Sequence, residues 1–146
     1  MSKLDDIITE FEGLDYQERL ELLLDFSESL PALPEQYRAE RDAGLHRVPE
    51  CMTPVFMWID VVDGTVSLVV DVAPEAPTVK GFASILVDAW NGARTEEVAA
   101  APADILGRMG LADKLGMTRL RGLNAIVQRI KHEVAKRNGT RSASTA

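Results

Sequence analysis

The chain has 146 residues and a mass of 16.0 kDa, with 46% of its residues apolar, 27% charged and a formal net charge of -7. That length supports one core rather than two, and no apolar run approaches the ~20 residues of a membrane span. One cysteine, Cys51, and two histidines, His46 and His132, exclude an internal disulfide, a CxxC redox pair and a Cys-rich zinc site.

The opening MSKLDDIITEFEG carries no hydrophobic signal core, so the expectation is a cytoplasmic protein. Leu4, Ile7, Ile8 and Phe11 share one face of a helix that Ser2 can cap and Gly13 can end. Asp15 and Glu18 form a capping-box pattern, opening a second helix that carries Tyr16, Leu20, Leu23, Leu24 and Leu30 and stops at LPALP, 30–34. Val55 to Val62 and Thr65 to Val72 read as strands joined by Asp63-Gly64, whose residue types suit the positive φ angles of a type I′ turn. Because a two-stranded ribbon alone is marginal, a third strand or a covering helix is required, and a short third strand is expected at His46 to Pro49, pairing with 55–62. In strand 55–62, Met57 and Ile59 should face the helices and Trp58 and Asp60 the other side.

After APEAP, Thr78 is expected to cap a helix with Val79, Phe82, Ala83, Leu86 and Trp90 on one face. Thr95 should cap a short helix, and Pro102 should open another. Leu120, Leu123, Val127, Ile130 and Val134 make an apolar stripe at helical spacing, closing at Asn138-Gly139. The pattern predicts an α+β domain over residues 1–139, with a small antiparallel sheet of about three strands and N- and C-terminal helices packed on it. Residues 140–146 should form a disordered tail.

Charge is unevenly placed. Residues 1–42 hold twelve acidic against four basic side chains, whereas 114–141 hold eight basic and only Glu133. An acidic body with a basic last helix fits either an internal charge match or an acidic partner. Residues 114–141 contain no Trp, Tyr or Phe for base stacking, which argues against nucleic acid.

Chemistry has few places to sit. His132-Glu133 lacks the second histidine of a zinc protease helix, no GxSxG elbow is present, and no acidic pair stands out as a catalytic dyad. Cys51 lies in RVPECMTPVFMW, on a loop stiffened by Pro49 and Pro54. A buried, inert cysteine is the simpler reading of a lone thiol. Its position off any apolar stripe favours a functional one.

Four segments stand in order between residue 4 and about 137: LPALP at 30–34, CMTPVFMW at 51–58, TVKG at 78–81 and TRLRGL at 118–123. Together they resemble the SufE family of sulfur-acceptor proteins, which activate cysteine desulfurases during iron–sulfur cluster assembly. Three positions depart from the family's usual residues: Glu50 in place of Gly, Met52 in place of Gln, and Gly116-Met-Thr in place of a Pro-Ser pair. The resemblance implies a SufE/IscU-like fold, with Cys51 as persulfide carrier. Arg119 is the candidate stabiliser of the thiolate or persulfide anion, with a surface or structural arginine as the alternative. The implied partners are a SufS-type cysteine desulfurase and an iron–sulfur scaffold such as a SufBCD-type complex, with neither nucleic acid nor membrane. No bound cofactor or metal is implied, since pyridoxal phosphate belongs to the desulfurase.

The residues agree with that implication. A sulfur carrier works with one thiol and no resolving cysteine, which would discharge the persulfide as a disulfide. Lowering a thiol pKa from ~8.5 to ~7 raises the thiolate about eightfold at pH 7.5. It also lowers the thiolate's nucleophilicity about fivefold, so placement of the sulfur should matter more than acidity. Two other readings are an IscU-like cluster scaffold, for which one cysteine is too few, and a non-catalytic interaction module.

Overall fold

Ser2 and Asp15 open the first two helices by the same device. In the computed structural model, which describes residues 2–145 and the side chains of 2–138, each accepts a hydrogen bond from the backbone N–H three residues on. The side chains of Asp5 and Glu18 accept from the cap residues' own N–H groups in return. Helix α1 (Lys3–Glu12) buries Leu4, Ile7, Ile8 and Phe11, as its spacing predicts. Helix α2 (Tyr16–Ser29) turns most of its expected stripe inward: Leu23 is buried, Tyr16 and Leu30 pack against the core beside Leu22 and Phe26, and only Leu24 departs, 46% exposed. Adjacent leucines offer more than one stripe, and the register is selected by the helix packed against it.

That partner is α4 (Pro77–Trp90), buried along much of its length from Val79 to Trp90. Gly81 allows the close approach, since a Cβ there would fall 2.3 Å from the Leu23 carbonyl oxygen. Thr78 is not its cap. Pro77 takes the first turn, where its missing N–H costs nothing, and Ala76 precedes it without a side-chain cap. Likewise Arg94 precedes α5 (Thr95–Ala100), leaving Thr95 buried within it, and Asp104 caps the single turn α6 (Ile105–Arg108), so Pro102 lies before the helix instead of opening its first turn.

Among the described residues the sheet has two strands, not three. Strands β1 (Val55–Val62) and β2 (Thr65–Val72) pair antiparallel around Asp63 and Gly64, both at positive φ, 52° and 75°. The expected strand at 46–49 shrinks to one bridge, Arg47 with Phe56. His46 itself sits at φ 64°, and Pro49 has no N–H to donate, so the pairing cannot propagate in either direction. Val55, Met57, Ile59 and Val61 face the core opposite Val72, Val70, Leu68 and Val66. Trp58 lies on the other side, against the rings of Tyr37 and His46. The 3-10 turn Glu35–Tyr37 and the short α3 (Arg38–Asp42) supply part of that cover.

Helix α7 (Met117–Thr145) lies against β1 and α5. It buries Leu123, Ile126, Val127, Ile130 and Val134. Its backbone passes the end expected at Asn138-Gly139; glycine in a helix interior costs only ~0.5–1 kcal/mol. The tail expected at 140–146 lies outside the residues described to the side chain. Among the described residues, no helix is long and apolar enough to cross a membrane.

Candidate functional site

Val48, Pro49, Glu50 and Cys51 form a tight turn, closed by the Cys51 N–H donating to the Val48 carbonyl at 3.3 Å. Proline is favoured at its second position because its ring fixes φ there. Val48 is buried, and its N–H donates to the Val55 carbonyl at 2.8 Å, tying the turn to β1. The turn brings Cys51 against α7, where its thiol donates to the carbonyl oxygen of Gly122 at 3.3 Å. Only glycine suits that place without displacement: a Cβ on residue 122 would lie 3.3 Å from Sγ and 3.6 Å from Cα of Cys51.

Cys51 is 6% exposed. Burial pushes its thiol up to about 11, helped by the neighbouring Glu50 carboxylate, while the guanidinium groups of Arg47 and Arg129 pull the other way. At pH 7.5 only roughly three thiols in ten thousand are then ionised. Glu50 itself is paired with Arg129 of α7, Nη2 lying 3.3 Å from Oε1 and 3.4 Å from Oε2.

Beside the thiol is a cavity of about 390 Å³ between the Cys51 loop and the start of α7, lined among others by Val79, Leu115, Arg119 and Leu123. Met52 and Met117 also line it, and they are the most exposed large apolar side chains described, 81% and 72%. The arrangement is a sheltered thiol next to an apolar-rimmed opening.

Residues 5–134 match the family described as SufE, an Fe-S metabolism associated domain. The chain belongs to the SufE family. It is 36% identical over 132 residues to an uncharacterised SufE-like protein of Mycobacterium tuberculosis, covering 90% of each chain. It is 28% identical over 141 residues to another from Rhizobium meliloti, covering 94% of this chain and 98% of that one. The solution structure of a hypothetical protein from Thermus thermophilus superposes with a TM-score of 0.78 at 34% identity, covering 95% of this chain and 99% of that one. Family membership places the protein in iron–sulfur metabolism and agrees with the α+β fold class read from the sequence.

Of the residues singled out in the sequence, Cys51 and Arg119 line the same cavity. Arg119 is exposed and has no hydrogen bond to the thiol. His46 belongs elsewhere, with Nε2 2.8 Å from Glu40 Oε2 and its ring on Trp58. Sequence reasoning missed Arg129 and the placement of Gly122 against the thiol. Gly122 carried a signal, being a glycine inside an otherwise good helical stripe, where one usually marks a close approach. Arg129 carried none, since its partner is 79 residues away. Among the described residues, no group of three or more His, Cys, Asp or Glu side chains is placed to hold a metal ion.

Proposed function

We propose that this SufE-family protein is a sulfur acceptor, taking persulfide sulfur from a cysteine desulfurase onto Cys51 and passing it to iron–sulfur cluster assembly. The observation that carries this is the chain's lone cysteine, held on a loop against the Gly122 carbonyl beside an apolar-rimmed cavity. In the transfer, the Cys51 thiolate attacks the outer sulfur of the donor's persulfide. The donor's S–S bond breaks, its cysteine leaves as a thiolate, and Cys51 carries the new persulfide. No net oxidation occurs, and the Cys51 proton goes to solvent or to the departing thiolate. Pyridoxal phosphate performs the organic step on the desulfurase.

The resting geometry protects sulfur better than it accepts it. A thiol 6% exposed and pushed up to about 11 is a poor nucleophile at neutral pH. The loop therefore has a closed resting state and an open one that the desulfurase must bind more tightly to populate. If the closed state is favoured by ~2 kcal/mol, the open form is a few per cent populated and full opening speeds reaction about thirtyfold. Once the loop opens, Arg119 at the cavity rim joins Arg47 and Arg129, whose guanidinium groups already act on the thiol, as a cation for the persulfide anion.

Alanine release by a cysteine desulfurase at multiple turnover, with a reductant present, tests the carrier role. The parent should accelerate release and Cys51→Ser should not. Equal acceleration by the Ser variant would replace sulfur carriage with allosteric activation.

A further inference from the structure

Among the described residues, two polar contacts hold the Cys51 turn onto α7, and one of them involves the thiol. The other is the ion pair between Glu50 and Arg129, which lie on the residue before Cys51 and on the helix that also supplies Gly122. Its geometry is loose: a single nitrogen, Nη2, lies between both carboxylate oxygens at 3.3 and 3.4 Å rather than in a bidentate fork. Both side chains keep partial access to water, 36% exposed for Arg129 and 46% for Glu50. Such a pair is weak and breaks readily, as a contact that must open on each cycle has to be.

We infer that Glu50 and Arg129 are positioning residues that latch the Cys51 loop closed and set how rarely the thiol is exposed in the free protein. The inference deepens the carrier reading and rests on it for its purpose. The latch itself is a property of the free chain. Breaking the pair releases the turn at the residue adjacent to Cys51, leaving the thiol–carbonyl hydrogen bond and apolar contacts to hold it on α7 and the Val48–Val55 backbone bond to tie its start to β1.

Latching and simple electrostatics make opposite predictions for two variants. Glu50→Asp keeps the charge beside Cys51 but shortens the side chain by one methylene, so the carboxylate falls short of Arg129. Acting only through its field on the thiolate, it would leave alkylation unchanged or slower. Arg129→Gln removes a positive charge that favours the thiolate, and its field alone would also slow alkylation. A broken latch speeds both.

The experiment is pseudo-first-order iodoacetamide labelling of the free, full chain at pH 7.5 and low ionic strength, followed by mass. The parent, E50D, R129Q and the double variant are compared, with folding checked by circular dichroism. Each single variant should label about two- to fivefold faster than the parent, and the double no faster than the singles, because one pair can be broken only once. Slower or unchanged labelling of a folded single variant, or singles whose effects multiply in the double, would overturn the latch. Should R129Q melt early, E50D, which alters an exposed loop side chain, decides alone. No sulfur donor is present, so the result is independent of whether Cys51 accepts persulfide.

Discussion

A thiol facing a helix carbonyl in a dry contact is held protonated, and this fixes how Cys51 responds to pH. An acid whose pKa is raised stays neutral over the interval between its ordinary value, near 9, and its folded value, about 11. Iodoacetamide labelling of the folded chain should therefore keep rising through pH 9 and 10, while the chain unfolded in urea levels off above ~9, as an ordinary thiol does. A folded-state profile that flattens near pH 9 would mean a solvated Cys51 and no sheltered resting state. At this scale the sequence was informative about which atom matters and about the apolar stripe of the last helix that could shelter it. The lone cysteine between prolines could be picked out, but its hydrogen bond to the Gly122 carbonyl, 71 residues away, could not.

Elements carry the site by pressing on one another. Helix α4 lies close against α2 at Gly81 and supplies Val79 to the cavity wall, so its first turns serve packing and site together. Gly81→Ala should lose about 2–3 kcal/mol, a melting temperature roughly 5–10 °C lower. The added Cβ meets backbone at 2.3 Å, and the ~0.5–1 kcal/mol gained in helix propensity does not offset it. A variant that melts with the parent would show that α2 and α4 can separate freely. Helices with one unambiguous stripe, such as α1, were legible from spacing alone. On α2 the stripe was legible at Tyr16, Leu23 and Leu30, but Leu24, in a run of adjacent leucines, fell on the exposed side once α4 had packed. The third strand failed for a local reason: composition allows extension at 46–49, but His46 takes a left-handed conformation that ends it.

Across the whole molecule, α7 acts as the strut. Its apolar face closes the core from Leu123 to Val134, and its basic side chains meet the acidic body. Arg129 pairs with Glu50, Arg137 with Asp60 and Glu133, and Lys131 donates to the carbonyls of Ala99 and Ala101 at the end of α5. The charge asymmetry visible in the sequence is thus partly consumed inside the fold, and one of these pairs sits next to the cysteine. Which basic residue meets which acidic one depended on the three-dimensional path and not on spacing. Under the proposed function, one sulfur resides on one atom, Sγ of Cys51. Intact-mass measurement after incubation with a cysteine desulfurase, pyridoxal phosphate and free cysteine, without reductant, reads that directly. A gain of about one sulfur (~32 Da) is expected that maps to Cys51, is removed by a reductant and is absent from Cys51→Ser. An unmodified parent, in the presence of a desulfurase shown to carry its own persulfide, would contradict it.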